Sequence, residues 1–386
     1  MPTVGTGISP DVLATALQDL MPSYSELFAT WHPVLDRVIN KGNMDRSVLK
    51  GPFREFAVVT GGPGTVTQVV TGSEVIAGGR NQAATRGDTY APRLIYAFDV
   101  PGKDLAEANG EMDLARIIQH YPELALADFH ERIAEQFAQG TGTGVGGFAT
   151  LNGATTYSPN GAARSGAMKF GTRAGQEAGG APLGASALRY GLASGTTNGW
   201  YNQFADIPGA GFAASNGRSY MRDVYFKCSR QMKTMGPVDL LLGDEASYLN
   251  YLDSLDSQVR IITDSTKAGD RAPKQIRQGV KFLDADFYLE DSIDITSTAW
   301  NQPGDGTPNA PANAANGGVI YFLNTAVWYA YTLGHDANRE TKGDFSVRGP
   351  FRIPEQDLFR YEIVLNMGIH TNQLRANGVV CGAAVP

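Results

Sequence analysis

The six residues Gly142–Gly147 (GTGVGG) match the GxGxxG spacing of dinucleotide-binding sites, and they carry the most recognisable chemical motif of the chain. Such a motif binds pyrophosphate when it follows a strand and opens a helix, because free N–H groups then point at the ligand. Here it follows a predicted helix and precedes a predicted loop. The context therefore favours a flexible turn. No P-loop motif occurs in the sequence.

Histidine, cysteine and carboxylate residues form no complete metal or nucleophile signature. His130 and Glu131 begin like the HExxH helix of zinc proteases, but Ala134 stands where the second histidine would be. Cys228 lies on the apolar stripe of a predicted helix and is most simply a core residue. An acidic cluster lacks the glycine and glutamate register of a calcium loop, which favours a solvated strand face. Its members are Asp284, Asp286, Glu290, Asp291 and Asp294. We therefore predict no catalytic residue, no cofactor and no metal ion.

Two groups of basic and aromatic residues are candidates to contact nucleic acid. The chain as a whole carries 32 Lys and Arg against 39 Asp and Glu, a net charge of −7. That balance argues against a protein whose whole surface binds nucleic acid. Both groups are therefore more simply interpreted as ordinary solvated faces. The groups are Arg222, Lys227, Arg230 and Lys233 beside Tyr225 and Phe226, and Arg348, Arg352 and Arg360 beside Phe351 and Phe359.

Length and composition indicate several folded lobes joined by long loops. The 386 residues exceed what one compact core usually fills, and 46 of them are glycine. Only two cysteines occur, Cys228 and Cys381, so a disulfide-stapled secreted architecture is not expected and a reducing cytoplasm is the natural place of synthesis. No signal-peptide pattern and no apolar stretch long enough for a bilayer is present, so no membrane association is expected.

The first hundred residues predict helices followed by a β-ribbon. Helices are expected at Ser9–Leu20 and Ser25–Val38. The ribbon is expected in three pieces, Phe56–Thr60, Thr65–Thr71 and Arg93–Val100, which are bounded by glycine-rich turns. A two-stranded ribbon alone in water is marginal, because nothing covers its apolar face. A second copy of the chain would be a natural cover.

The strongest helical pattern follows the ribbon. A helix is expected at Glu111–Gln119, and Pro122 is expected to start a new one because an interior proline costs about 3 kcal/mol. Apolar residues recur at helical spacing over Glu123–Gln139, which predicts a helix. Gly140 suits the position directly after the C-terminus of this helix. From there to Gly217 small and polar residues dominate with recurring aromatics, which predicts ordered loops pinned by the aromatic side chains.

The second half predicts a small α/β unit and then a run of strands. The α/β unit consists of a helix at Arg218–Met235, a strand at Val238–Leu242, and a helix that is capped by Asp244 and runs to about Leu255. Further strands are expected at Val259–Thr263, Val280–Asp284, Phe287–Glu290, Val319–Asn324, Val327–Thr332, Phe345–Ile353, Phe359–Met367 and Gln373–Cys381.

The order of these parts resembles a tailed-bacteriophage major capsid protein with the Hong Kong-97 type shell fold. The residues that carry the resemblance are the ribbon, the long helix with the glycine-rich turn after it, the stretch MGPVDLLLGDEASYLNYLDSL from Met235, and the closing strands. The resemblance implies an α+β fold with five parts. These are an N-terminal arm at 1–50, an extended β-ribbon loop at 51–101, a peripheral domain with a spine helix at 102–217, a compact α/β axial domain at 218–320, and C-terminal strands at 321–386 that return to the peripheral domain.

The resemblance also implies a function. The chain would be a structural subunit, not an enzyme, that self-assembles into an icosahedral shell around double-stranded DNA. Its partners would be copies of itself in hexamers and pentamers, a separate scaffold protein, a portal, a decoration protein where the shell carries one, and packaged DNA bound non-specifically on the inner face. Assembly would take place in the host bacterial cytoplasm, and the product would be the virion capsid. A tail or sheath subunit, an encapsulin-like compartment, and a soluble enzyme with a site in the glycine-rich region are the alternatives.

This interpretation assigns contact and hinge roles to particular ribbon residues. Arg80, Arg86 and Asp88 are expected near the tip of the ribbon and are candidates to pair with a neighbouring subunit. Glycine joints would let the ribbon bend differently in pentameric and hexameric positions, because glycine adopts backbone conformations closed to other residues. The predicted hinges are Gly61, Gly62, Gly64, Gly78 and Gly79.

Overall fold

The chain forms two compact units, each assembled from separate stretches of sequence. Unit 1 comprises Met1–Pro52, Ala91–Gln136 and Ala330–Gly368, and unit 2 comprises Phe53–Tyr90, Phe137–Tyr329 and Ile369–Pro386. Within them the computed structural model describes residues 33–40, 43–45, 53–59, 84–90, 93–103, 121, 124–129, 132–133, 154–155, 164–165, 188–189, 192–193, 202–207, 212, 217–230, 236–255, 280–290, 318–332, 345–354 and 356–381.

Three helices and seventeen strands have both ends within the described residues. The helices are α1 (Pro33–Asn40), α2 (Gly217–Arg230) and α3 (Glu245–Ser254). The strands are β1 (Met44–Asp45), β2 (Phe53–Val59), β3 (Ala84–Tyr90), β4 (Arg93–Pro101), β5 (Ala154–Thr155), β6 (Arg164–Ser165), β7 (Leu188–Arg189), β8 (Leu192–Ala193), β9 (Gln203–Asp206), β10 (Leu240–Gly243), β11 (Val280–Phe282), β12 (Ala285–Leu289), β13 (Val319–Leu323), β14 (Trp328–Thr332), β15 (Phe345–Arg352), β16 (Leu358–Thr371) and β17 (Gly378–Cys381).

The long strand β16 is the centre of the unit 1 sheet. Strands β1, β14, β16 and β15 follow one another in that order, and β4 also pairs with β16. The β4–β16 pairing is antiparallel over nine residue pairs, from Leu358 opposite Pro101 to Asn366 opposite Arg93. Because side chains alternate between the faces of a strand, Tyr96 and Phe98 of β4 lie on one face and Ile95 and Ala97 on the other.

A helical segment covers the Tyr96 face of this sheet. Residues 121, 124–129 and 132–133 are helical, and we call them the spine segment. Its apolar residues Leu126, Phe129 and Ile133 are buried, as their helical spacing predicts. The phenol of Tyr96 donates a 2.7 Å hydrogen bond to Oδ2 of Asp128, and its ring lies 5.6 Å from that of Phe129. These contacts fix the spine segment on β4.

Unit 2 contains a six-stranded mixed sheet in the order β11-β12-β10-β13-β17-β9. The strand register aligns Phe287, Leu241, Phe322 and Gly378 in one row across four neighbouring strands. Residues that pair directly lie on the same face of a sheet, so this row marks a single face. The face is apolar, and Leu241, Phe287 and Phe322 are fully buried on it.

Helices α2 and α3 both pack on that face. Val224 and Cys228 of α2 lie so close to Gly378 that a Cβ atom there would come within 2.5 Å and 2.9 Å of their side chains. The ring of Tyr251 of α3 lies 5.3 Å from the ring of Phe287. Sheet and helices therefore form two layers around one hydrophobic core.

The predicted cap of α3 is confirmed. Asp244 is the N-cap residue and accepts hydrogen bonds from the backbone N–H of Ser247, at 3.2 Å, and from its hydroxyl, at 2.5 Å. It also accepts from the backbone N–H of Val319, at 2.7 Å, which ties the helix to β13. Burial raises the pKa of Asp244, and these donors partly offset that rise.

The ribbon differs from the prediction in the strands that build it. β2 pairs with β3 and not with the stretch predicted at Arg93–Val100. That stretch is indeed a strand, β4, but it belongs to the unit 1 sheet. Its apolar and aromatic composition suits either setting, and only its distant partner β16 decides between them. The piece predicted at Thr65–Thr71 lies outside the described residues.

Several predicted loops and ends also differ from the structure. The region from Gly140 to Gly217, predicted as loops, contains the small four-stranded sheet β5-β6-β7-β8 and strand β9 of the large sheet. The last predicted strand begins only at Gly378, because Leu374–Ala376 forms a 3-10 turn before it. The predicted helices Ser9–Leu20 and Glu111–Gln119 and the predicted strand Val259–Thr263 lie outside the described residues.

Candidate assembly surfaces

The ribbon of β2 and β3 is the first candidate surface. Seven residue pairs join the two strands, from Phe53 opposite Tyr90 to Val59 opposite Ala84. Over the described part of the chain these two strands form a sheet of their own, without a third strand. A two-stranded sheet is marginal by itself, because stability normally requires more strands or a packed layer.

The predicted contact residues fall in different places along this ribbon. Arg86 and Asp88 lie within β3, opposite Ala57 and Glu55 of β2, and so belong to the paired strands. Arg80 lies outside the described residues, as do the five predicted hinge glycines. Contact of these residues with a neighbour and bending at the glycines stay predictions.

The face of the unit 1 sheet opposite the spine segment is the second candidate surface. Arg360 of β16 pairs with Asp99 of β4 through two hydrogen bonds, Nε to Oδ1 at 2.8 Å and a terminal guanidinium nitrogen to Oδ2 at 3.0 Å. These bonds lower the pKa of Asp99. Two exposed apolar side chains share the face, Ile95 and Phe351. An adjacent carboxylate therefore neutralises Arg360 of the second basic-aromatic group, whereas Arg352 of that group is exposed.

Helix α2 carries the first basic-aromatic group. Arg222, Phe226, Lys227 and Arg230 are exposed on it, whereas Tyr225 is buried in the core. Nζ of Lys227 lies 2.6 Å from Oδ2 of Asp223, which neutralises that lysine within the helix. Lys233 lies outside the described residues.

Among the described residues, the candidates for catalysis and metal binding form no cluster. No group of three His, Cys, Asp or Glu side chains that could hold a metal ion occurs among the described residues. Of the acidic cluster, Asp284 is exposed in a turn and Glu290 is buried, while Asp291 and Asp294 lie outside the described residues. Cys228 is fully buried, and burial raises the pKa of its thiol, which makes the reactive thiolate scarce. Residues 130, 131 and 142–147 also lie outside the described part.

No helix within the described residues combines the length and the hydropathy that a bilayer crossing demands.

Comparisons with known proteins give a fold and no sequence relative. No protein-family model matches the chain, and no curated protein matches it in sequence. The capsid asymmetric unit of cyanophage A-1(L) is similar in structure, with a TM-score of 0.50, 12% sequence identity, and coverage of 90% of this chain and 93% of that chain. The chain has the fold of a phage capsid protein.

Two further structures are similar over nearly the same length. The capsid of a native GTA particle has a TM-score of 0.49 at 13% identity, and covers 89% of this chain and 90% of its own. A structure from Mycobacterium phage Bobi has a TM-score of 0.46 at 9% identity, and covers 89% of both chains. The similarity to the cyanophage capsid confirms the predicted resemblance to tailed-phage capsid proteins, and the α+β content of the chain agrees with the capsid fold.

Proposed function

We propose that this chain is the shell-forming subunit of a tailed bacteriophage, and that many copies assemble into an icosahedral capsid enclosing double-stranded DNA. The observation that carries the proposal is the capsid fold along nine-tenths of the chain. A shell subunit needs no catalytic residue, cofactor or metal ion, and its specificity lies in surfaces that fit other copies.

The two-stranded ribbon supports this proposal. Because β2 and β3 pair only with each other among the described residues, this small sheet favours a cover supplied by another molecule. When a neighbouring subunit receives the ribbon, the contact buries surface of both copies, although the folded lobes themselves are small. Repeated around a shell, many modest contacts of this kind become stable together.

The rest of the assembly follows in the same proposal. Copies form hexamers and pentamers, a separate scaffold protein guides assembly, and a portal and a decoration protein complete the particle. The arm at 1–50, the ribbon loop at 51–101, the peripheral domain at 102–217, the axial domain at 218–320 and the strands at 321–386 are its parts. DNA contacts the inner face non-specifically, and the virion capsid assembles in the host bacterial cytoplasm.

Charged ribbon residues have a minor role in this proposal. Arg80, Arg86 and Asp88 are candidates for ion pairs with the receiving subunit, but an exposed ion pair contributes only about 0–1 kcal/mol. The Arg86→Glu variant should therefore assemble more slowly or need more protein. Assembly of this variant indistinguishable from the parent would remove Arg86 from the interface.

Negative-stain electron microscopy of the purified, concentrated chain tests the proposal. Round shells of uniform diameter are expected, with a scaffold protein added if the chain alone yields irregular shells. Tubes or fibres would point to a tail or sheath subunit instead. Monodisperse single chains at high concentration, stabilised by a small ligand, would point to a soluble enzyme.

A further inference from the structure

Helix α2 carries a basic stripe with an aromatic centre. Arg222, Phe226 and Arg230 follow one another at intervals of four residues, which places them on one side of the helix. All three are exposed, and half of the Phe226 surface, 51%, is open to solvent. Over the described residues neither arginine has an ion-pair or hydrogen-bond partner.

Helix α3 carries the opposite pattern at the same spacing. Glu245, Leu249 and Asp253 also recur every four residues, and all three are exposed. Leu249 is 49% exposed, close to the value for Phe226. Neither carboxylate has an ion-pair or hydrogen-bond partner within the described part of the chain. An acid–leucine–acid stripe therefore matches an arginine–phenylalanine–arginine stripe in spacing and opposes it in charge.

The two stripes face solvent from the same helical layer. Their helices bury the opposite sides, Val224 and Cys228 on α2 and Ser247 and Tyr251 on α3, against one face of the sheet. The helices are neighbours, since the guanidinium of Arg218 donates a 3.3 Å hydrogen bond to the carbonyl of Ser254. A basic stripe and an acidic stripe thus lie on the same helical layer of unit 2.

We propose that this surface binds the same surface of a second copy of the chain. The α2 stripe of each copy lies on the α3 stripe of the other, with Phe226 against Leu249 and the arginines against the carboxylates. Both stripes lie on the outer side of the same helical layer, so two copies that meet face to face form both stripe-to-stripe contacts at once. This arrangement is expected of a two-fold, self-complementary contact. Apolar residues at the centre and charges at the rim match the anatomy of specific interfaces.

A second copy fits this surface better than nucleic acid does. The arginines alone would attract phosphates, but Glu245 and Asp253 beside them would repel the same backbone. A protein surface with alternating charge satisfies both stripes, and charge complementarity of this kind fixes register and partner choice. The contact goes beyond the proposed shell, because it requires only two copies and no closed particle.

Charge-reversal variants of the full chain provide the test. An acidic variant carries Arg222→Glu and Arg230→Glu, and a basic variant carries Glu245→Arg and Asp253→Arg. Each variant alone opposes like charges in both pairs, whereas an equimolar mixture restores opposite charges in both. Sedimentation velocity over a dilution series should show a dissociation constant raised at least tenfold for each variant alone and restored to near the parental value in the mixture.

Two further variants keep the result specific. Lys281→Glu reverses an exposed charge on the edge strand β11, away from both stripes, and should leave association unchanged. Phe226→Gln removes the apolar centre without reversing a charge and should weaken association, and circular dichroism should show all variants folded. If a charge-reversed chain fails to fold, the dissociation constant of Phe226→Gln alone decides, and a parental value for it overturns the proposal.

The outcomes separate this inference from the proposed shell. Parental dissociation constants for both charge-reversed variants, no recovery in the mixture, or a parent chain without self-association would overturn the α2–α3 contact. Normal shells in the microscope together with the first of these results would leave the shell function intact. Charge-dependent pairing without any shell would leave the contact intact and contradict the function.

Discussion

The indole N–H of Trp328 donates a 3.0 Å hydrogen bond to Oδ1 of Asn377, a residue 49 positions further along the chain. The same Oδ1 accepts from the backbone N–H of Asn324 at 3.0 Å, and Nδ2 of Asn377 donates to the carbonyl of Gln373 at 3.0 Å. Trp328 and Asn377 are both fully buried. One carboxamide therefore satisfies three interior polar groups and ties the turn before β14 to the turn before β17.

Replacement of Asn377 by alanine should lower the free energy of unfolding by about 2–4 kcal/mol, because three buried polar groups lose a partner. Urea denaturation followed by circular dichroism measures the loss. Asn372→Ala is the matched control, since the side chain of Asn372 makes one long hydrogen bond, 3.4 Å to the hydroxyl of Tyr329. Equal losses in the two variants would contradict this role of Asn377.

The ion pair on the unit 1 sheet predicts a specific pH response. Arg360 lowers the pKa of Asp99, so the pair stabilises the fold above the unfolded pKa of about 4 and loses this effect as the pH falls through the lower folded pKa. In the Arg360→Gln variant the Asp99 pKa should rise towards the ordinary value, as measured by NMR titration of the carboxyl carbon. Arg352→Gln removes another exposed arginine of this sheet and should leave the Asp99 pKa unchanged.

Close packing at Gly378 predicts a loss of stability with any larger residue. A Cβ atom there would lie 2.5 Å from Cγ1 of Val224 and 2.9 Å from Sγ of Cys228, inside the normal contact distance. Gly378→Ala should therefore cost about 1–3 kcal/mol of unfolding free energy. Val224→Ala should recover part of that loss in the double variant, because it removes the nearest methyl group. Strictly additive losses in a double-mutant cycle would contradict the predicted clash.

The hinge hypothesis predicts a defect of assembly and not of folding. Valine at both Gly61 and Gly62 should leave soluble, folded protein but block regular shells, because the stiffer joint cannot adopt different bends in different positions. Ala57→Val places the same residue type at an exposed position within β2 and should leave assembly normal. Regular shells from the double valine variant in electron micrographs would refute the hinge.

Local signals were sufficient where the structure agrees with the sequence-based prediction. Asp244 followed by a helical pattern predicted the start of α3, since an N-cap acts within one turn. The spacing of Leu126, Phe129 and Ile133 predicted the buried side of the spine segment, because a helix repeats every 3.6 residues. The order of such local elements was also enough to indicate the capsid fold.

Sequence patterns failed where the partner of a strand is distant or the strand has an unusual composition. β3 reads ATRGDTY, and its glycine, its aspartate and the lack of apolar alternation hide the strand despite two threonines and a tyrosine. The partner of β4 lies more than 250 residues away, with Asp99 and Arg360 separated by 261 positions. The acidic stripe on α3 was missed because Glu245 and Asp253 look like an ordinary solvated face until α2 is placed beside it.

Hydrogen exchange of the ribbon amides in dispersed and in assembled protein tests the central claim most directly. If the ribbon completes its fold on another copy, the amides of Phe53–Val59 and Ala84–Tyr90 exchange rapidly in the dispersed chain and become protected on assembly. Strong protection in the isolated chain, unchanged by concentration or assembly, would contradict a subunit that relies on its neighbours.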